Sequence, residues 1–126
     1  MKRIIEGKRV FLSGPMSGIE HYNIAEFAKA HAAVHELGAS EVYNPAFAWL
    51  NTPLERARDI PHERWMLKCV YELTRPAYGA KEGPYYDLLV SLPGWKRSDG
   101  AAWERATAEQ CGIVCVDLDD VLRELS

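Results

Sequence analysis

The sequence has few cysteines and no long apolar run. Its three cysteines, Cys69, Cys111 and Cys115, are an odd number without the paired spacing of a zinc site, so neither a disulfide framework nor a metal centre is expected. No stretch approaches the roughly 18 consecutive apolar residues of a transmembrane helix, and residues 1–6 lack the apolar segment of a signal peptide. We therefore expect a cytoplasmic protein with no membrane partner.

The sequence also lacks an excess of positive charge. It contains 15 basic and 18 acidic residues, a net charge of −3, which argues against a groove for long nucleic acid. A small phosphorylated ligand is not excluded, because it needs only a local pocket. Hydrophobic residues, in contrast, make up 48% of the 126 residues. This length and composition predict that residues 1–126 form a single domain with its own core.

Short apolar runs alternate with helical patterns along the chain. We predict strands at 9–13, 41–44, 86–92 and 113–116, and helices at 24–37, from 62, at 101–111 and from 118. The spacing of Asn23 and Glu26 predicts a capping box at the first of these helices, and Gly38 is expected to end it. Alternation of this kind predicts an α/β fold, with about four parallel strands in the order 2-1-3-4.

Two loops rich in glycine and serine, residues 13–18 and 93–100, follow the first and third predicted strands. Because the strand order reverses between these strands, both loops are expected at the edge where open α/β sheets bind ligands. The first loop fits neither the dinucleotide nor the P-loop spacing, and an ordinary tight turn is an equal alternative. In the second, Lys96, Arg97 and Ser98 precede a helix and suit one phosphate, although a solvated charge cluster is the alternative.

Glu104 is a carboxylate in the apolar stripe of a predicted helix. It shares a face with Ala101, Ala108 and Cys111, and this face is expected to pack on the sheet. The nearby helix N-terminus is expected to help keep the carboxylate ionised. In a ligand cleft such a group can act as a nucleophile toward an oxocarbenium-like sugar carbon. The alternative is a glutamate that only hydrogen-bonds the loop at 13–18.

Two other candidates, a carboxylate and a histidine pair, are weaker. Asp87, at the start of the third strand, could orient a ligand or bind backbone amides near the strand start. His31 and His35 have the spacing of a metal pair but lack a third ligand, so packed or solvated histidines are favoured. No metal and no cofactor are expected.

Several motifs occur in a fixed order over about residues 9–117. They are VFLSGPMSG from Val10, then Tyr43-Asn44-Pro45, then LPGW from Leu92, and SxGAxxE from Ser98 to Glu104. This combination resembles the nucleoside 2-deoxyribosyltransferase-like superfamily, in particular its small bacterial and phage branch. The resemblance implies a flavodoxin-like, Rossmann-like three-layer sandwich. It also implies transfer of a deoxyribosyl group between bases, or hydrolysis of the N-glycosidic bond of a nucleoside or nucleoside 5′-monophosphate.

The resemblance also implies roles for individual residues. Glu104 matches the family's nucleophile, Asp87 matches an aspartate at the start of the third strand, and Ser98 matches a serine that helps to hold phosphate. The remaining substrate-binding positions lie in the two loops and at the end of the second predicted strand: Ser13, Gly14, Pro15, Met16, Ser17, Gly18, Asn44, Gly94, Trp95 and Gly100.

Two positions depart from the family pattern. Family members have a tyrosine in the first strand and an aspartate on the second helix, where this sequence has Phe11 and Cys69. A non-catalytic protein that senses or sequesters a nucleotide is therefore a second hypothesis, and an enzyme that hydrolyses NAD through Glu104 is a third. Since relatives often complete their sites across a dimer, a homodimer or higher homo-oligomer is expected.

Overall fold

The computed structural model describes residues 2–16, 23–47, 62–77 and 83–123. None of the helices in these ranges combines the length and the apolar character needed to cross a membrane. The helices and strands follow one another in this order: α1 (Lys2–Ile5), β1 (Arg9–Ser13), α2 (Ile24–Glu36), β2 (Glu41–Tyr43), α3 (His62–Leu73), β3 (Leu88–Ser91), α4 (Asp99–Gln110), β4 (Val114–Asp117) and α5 (Leu118–Arg123). Short 3₁₀ turns occupy Pro45–Phe47 and Trp95–Arg97.

The four strands form one parallel sheet in the order β2-β1-β3-β4, which confirms the predicted α/β class and strand order. β1 lies inside the sheet, where Val10 pairs with Val42 on one side and Leu88 on the other. The chain runs outward from β1 to β2 and then returns across β1 to β3. This reversal opens a crevice at the carboxyl ends of β1 and β3, as in other flavodoxin-like three-layer sandwiches.

Helices cover both faces of the sheet because the strand side chains alternate between two apolar clusters. Val10 and Leu12 belong to the cluster beneath α2 and α5, whereas Phe11 belongs to the cluster beneath α3 and α4. Side chains two residues apart point to the same face of a strand. Ser13, at the end of β1, therefore points to the same face as Phe11 and toward α4.

The start of α2 differs from the prediction, whereas its end agrees with it. Asn23 has a left-handed backbone (φ 63°) and makes no side-chain cap, so the predicted capping box is wrong. Its Nδ2 instead donates to the Pro15 carbonyl at 3.0 Å and fastens α2 to the loop after β1. At the other end Gly38 has φ 93°, and the Ala39 amide donates to the Val34 carbonyl at 3.1 Å, as expected of a glycine stop.

β3 is shorter than predicted, because the residues before it are held by other contacts. The Tyr86 hydroxyl donates to the Glu72 carboxylate at 3.1 Å, and Asp87 accepts from the Arg9 amide at 3.0 Å. These contacts anchor the amino-terminal edge of the sheet, opposite the crevice.

Candidate active site

A cavity of about 690 Å³ lies at the carboxyl edge of the sheet. The segments that follow β1 and β3, residues 14–16 and 92–94, form two of its walls, and residues 97–101 with Glu104 form the third. The lining is completed by side chains from α2, the β2 turn and α3: Asn23, Glu26, Pro45, Met66 and Cys69. The volume lies in the range of sites that bind small ligands and cofactors. The two loops predicted to meet at the reversal point do so.

Glu104 forms part of the inner wall of this cavity. The residue is only 6% exposed, and Ala101 and Ala108 on the same face of α4 are also buried, so the predicted core-facing position is confirmed. The Ser13 hydroxyl donates to Glu104 Oε1 at 2.7 Å. Cys69 of α3 is buried and lines the same cavity. The contact with Ser13 matches the structural alternative, and the carboxyl lines the ligand cavity as well.

Burial dominates the electrostatics of Glu104. It raises the pKa of the carboxyl above its usual value, and the neighbouring Cys69 and Ser13 lower it by less than burial raises it. The nearby helix N-terminus favours the ionised form, whereas burial, which is deeper than a periodic pattern can show, moves the pKa of the carboxyl in the opposite direction. A carboxylate of raised basicity is a better nucleophile once it is ionised.

The loop after β1 approaches β3 closely at a glycine. A Cβ atom at Gly14 would lie 2.7 Å from Leu92 Cβ, so this position has no room for a side chain. Pro15 and Met16 follow and line the cavity. Ser17 and Gly18, also predicted to bind substrate, lie outside the described residues.

The start of α4 forms the wall opposite that loop. Ser98 caps the helix by accepting from the Ala101 amide at 3.3 Å, and Gly94 makes the preceding bend with φ 85°. Gly94, Arg97, Ser98 and Gly100 all line the cavity. The arginine and the positive end of the helix that starts at Asp99 are suited to an anion. Asp99 also lines the cavity and adds a negative charge at the same place.

Two predicted site residues have structural contacts elsewhere. Asp87 lies before β3, at the edge of the sheet opposite Glu104, and accepts from the Arg9 amide, so its predicted backbone-binding role is the one observed. β3 separates it from the cavity by about 13 Å at a strand's rise per residue. Asn44 is buried after β2, where its Oδ1 accepts from the Ala46 amide at 2.9 Å. Neither residue lines the cavity.

Trp95 points away from the cavity, although it was predicted to bind substrate. Its Nε1 donates to Asp117 Oδ1 at 3.1 Å, and the Arg105 guanidinium lies 4.3 Å from the centre of its ring. Arg105 also donates to Asp117 at 2.7 Å and to Ser91 Oγ at 3.1 Å. Sequence reasoning missed Arg105, for which the only signal was its position next to Glu104.

Comparison with known families places the chain in a family whose function is not described. A family model with the description Domain of unknown function (DUF4406) matches residues 8–117. The chain belongs to this family. No significant match is found among curated proteins or among solved structures. The part matched to DUF4406 extends from just before β1 to the end of β4 and includes every residue that lines the cavity.

Tyr43, in the aromatic cluster behind the DUF4406 cavity, is a second residue whose position the sequence did not predict. Phe11, where the resemblance implies a tyrosine, stacks on Tyr43 of β2 with ring centroids 4.8 Å apart. The Tyr43 hydroxyl is buried and has no hydrogen-bond partner within the described residues. The phenol hydroxyl that Phe11 lacks is thus present on the neighbouring strand, facing the same side of the sheet.

Replacement of Arg105 by alanine is expected to loosen the second loop of this DUF4406 chain. The substitution removes two hydrogen bonds to the sheet edge and the contact with Trp95, and we expect a loss of about 1–2 kcal/mol in the free energy of unfolding, since Asp117 is half exposed. Urea unfolding measures this loss. Arg123→Ala is the matched control, because its ion pair with Asp120 is exposed; an equal loss in both variants would contradict the anchoring role.

Proposed function

We propose that this chain cleaves the N-glycosidic bond of a nucleoside or nucleoside 5′-monophosphate, or transfers the sugar to another base, with Glu104 as nucleophile. The supporting observation is a buried carboxyl on the inner wall of a nucleotide-sized cavity. Within the described residues no cation pairs with it, and a buried carboxyl that lacks such a partner destabilises the fold. Groups of this kind concentrate at functional sites. The motif resemblance supports the same chemistry.

The reaction would proceed in two displacements at the anomeric carbon. A Glu104 oxygen forms a bond to C1′ while the bond from C1′ to the base nitrogen breaks, and the base leaves with the electron pair and takes up a proton. In hydrolysis, water then attacks C1′, the ester bond to Glu104 breaks, and the water gives up a proton. In transfer, a nitrogen of a second base attacks in place of water. Ser13 would hold Oε1 in position through both steps.

The start of α4 supports a monophosphate over an uncharged nucleoside. Arg97, the Ser98 hydroxyl and the first-turn amides lie on one wall of the cavity, where they would meet a 5′-phosphate. The free cysteines of the described residues suit a reducing compartment, so we propose the cytoplasm as the location. The substrate is a small molecule, and the net charge of −3 does not favour long nucleic acid.

A second candidate is a protein that binds a nucleotide without turnover. Phe11 favours it, because no hydroxyl reaches the carboxyl from that position of β1. NAD glycohydrolase activity through the same Glu104 is a third candidate and differs from the first only in substrate.

Incubation with a panel of deoxynucleosides, ribonucleosides, their 5′-monophosphates and NAD tests the proposal. We expect free base from at least one nucleotide, measured by chromatography, and faster release from monophosphates than from nucleosides. Acid quenching during turnover should trap a protein heavier by one sugar phosphate, with the added mass on the peptide that contains Glu104. Release of nicotinamide alone would favour the NAD hypothesis. Tight binding in calorimetry with no release from any compound would overturn the proposal in favour of the binding protein.

A further inference from the structure

The loop between β3 and α4 separates two cavities. Residues 92–94 and Arg97 line the large cavity of the candidate active site, and they also line a smaller cavity of about 270 Å³. Trp95 lines the smaller cavity, as do Ser91 and Asp117 at the ends of β3 and β4. The loop is therefore a wall shared by the two cavities, with Trp95 on the side of the smaller one.

A short 3₁₀ turn gives this wall its shape. The turn spans Trp95–Arg97. The Arg97 amide donates to the Gly94 carbonyl at 3.1 Å, and the Ser98 amide donates to the Trp95 carbonyl at 3.2 Å. Because these hydrogen bonds join the residues into one tight unit, a displacement of Trp95 would move Arg97 and the start of α4 with it.

The Trp95 ring is held by side chains from two other elements. Its Nε1 donates to Asp117 Oδ1 at 3.1 Å, and the Arg105 guanidinium lies 4.3 Å from the centre of its ring. Arg105 itself donates to the same Asp117 oxygen at 2.7 Å and to Ser91 Oγ at 3.1 Å. A guanidinium group can stack on an aromatic ring and donate hydrogen bonds at the same time. Arg105 thus ties the turn to the ends of two strands.

The opposite side of the turn faces the large cavity with groups suited to an anion. Arg97 and Ser98 line that cavity, and the positive end of α4 lies beside them because the helix begins at Asp99. The Asp99 carboxylate lines the cavity as well and repels an anion. Since charge interactions change with distance, the binding of a phosphate depends on how closely Arg97 and the helix end approach it. A neutral ligand is less sensitive to their position.

We propose that Trp95 and Arg105 are positioning residues, which hold Arg97 and the start of α4 against the phosphate of the ligand and so determine the preference for a phosphorylated over an unphosphorylated nucleoside. Of the described residues, neither of these two lines the large cavity, so both act through the turn. The inference rests on the proposed function for the kind of ligand, but it does not depend on the cleavage step.

Titration with inorganic phosphate tests the positioning role without catalysis. In nitrogen-15 NMR spectra of the wild type, we expect phosphate to shift the backbone amides of residues 98–101. The dissociation constant obtained from these shifts is expected to rise about tenfold in Trp95→Ala and in Arg105→Ala, the equivalent of one weakened charge-assisted contact. Trp95→Phe keeps a ring next to Arg105 but loses the donor to Asp117, so an intermediate value is expected.

The kinetic counterpart compares two substrates that differ only in the phosphate. For Trp95→Phe and Arg105→Lys, we expect the ratio of kcat/KM for a nucleoside 5′-monophosphate to that for the corresponding nucleoside to fall about fivefold, since part of the anchor is kept. Arg105→Lys retains the charge next to Asp117 but loses the planar group that stacks on Trp95. A loss of packing or stability alone would affect both substrates equally.

Trp103→Ala and Arg123→Ala are the matched controls. Trp103 lies on α4, is 47% exposed and is not part of the described lining of the large cavity. Arg123 forms an exposed ion pair with Asp120 on α5. Neither control should change the phosphate dissociation constant or the ratio between the two substrates.

The outcomes separate this inference from the proposed function. Weaker phosphate binding in the variants at positions 95 and 105, with both controls unchanged, supports the positioning role. If no base is released in that case, the proposed cleavage is overturned and this inference stands. Wild-type phosphate affinity in Trp95→Ala and Arg105→Ala would overturn the role, as would an unchanged substrate ratio in an active enzyme. Shifts centred on residues 117–119 would also overturn it, because they would place the anion in the smaller cavity.

Discussion

Glu104→Gln is expected to lose base release by at least about 10³-fold and, at pH 8, to unfold at a higher urea concentration than the wild type. The amide has nearly the same shape and can still accept from Ser13, but it cannot form the ester to the sugar. Because it carries no charge, the amide avoids the desolvation that raises the pKa of the buried carboxyl. The expected gain in stability is about 0.5–2 kcal/mol, the usual range for one stabilising substitution.

The gain in stability should depend on pH in a direction set by the raised pKa. At a pH below the usual carboxyl value, Glu104 is protonated in both the folded and the unfolded chain, and the variant and the wild type should be similarly stable. As the pH rises above that value the unfolded chain ionises first, so the wild type loses stability until the pH passes the folded pKa. Urea midpoints measured between pH 4 and pH 9 should therefore diverge with rising pH.

Glu109→Gln provides the matched control on the same helix. Glu109 is exposed and is paired loosely with Arg105 at 3.6 Å, so its substitution should leave base release and the free energy of unfolding at pH 8 close to their wild-type values. If Glu104→Gln retained base release, the carboxyl would not be the nucleophile. If Glu104→Gln were less stable than the wild type at pH 8, burial would not be the dominant influence on the pKa of the Glu104 carboxyl.

Gly14→Ala is expected to reduce the free energy of unfolding by about 2–3 kcal/mol, in the upper part of the range for overpacked sites. The new Cβ would lie 2.7 Å from Leu92 Cβ, an atom fixed to the backbone of a fully buried residue, so the strand ends must separate. Since both residues line the cavity, the separation should also weaken nucleotide binding measured by calorimetry.

Two further variants identify the cause of this loss. Leu92→Ala keeps the clashing Cβ, so adding it to Gly14→Ala should not restore stability. Gly112→Ala has no atom within 4 Å of the added Cβ, and its positive φ of 83° should cost about 1–2 kcal/mol without any effect on binding. A Gly14→Ala variant as stable as the wild type would show that the strand ends separate at no cost.

Patterns of local residues were sufficient to predict the sheet and the position of Glu104. The apolar runs and the spacing of Ala101, Glu104 and Ala108 follow from the periods of strands and helices, and these are visible in one sequence. The capping box at Asn23 failed because the side chain binds Pro15, a contact made by the loop and not by the helix. Such a contact leaves no trace in the helical pattern.

The remaining differences depend on contacts between distant segments. Trp95 turns from the cavity because Arg105 and Asp117 hold it. The position of the Tyr43 hydroxyl, which has no hydrogen-bond partner in the part of the chain that the structure describes, depends on the stacking of the Tyr43 ring on Phe11. The pKa of Glu104 is raised because the side chain is deeply buried, and a periodic sequence pattern does not show how deep a side chain lies. The sequence therefore predicted which elements meet at the site. It did not predict which of their side chains line the cavity and which bind other parts of the fold.

At the carboxyl edge of the sheet, Ser13 of β1 is paired with Ser91 of β3, which is paired with Asp117 of β4. Two consecutive residues of α4 bind all three of these side chains: Glu104 takes the first and Arg105 takes the other two. Hydrogen bonds have preferred distances and directions, so they fix the position of a helix along a sheet more narrowly than contacts of alanine side chains do. The position of Glu104 along the sheet is therefore fixed by the same row of strand residues that binds Arg105. A shift of α4 by one residue would break the hydrogen bonds of Glu104 and of Arg105 together.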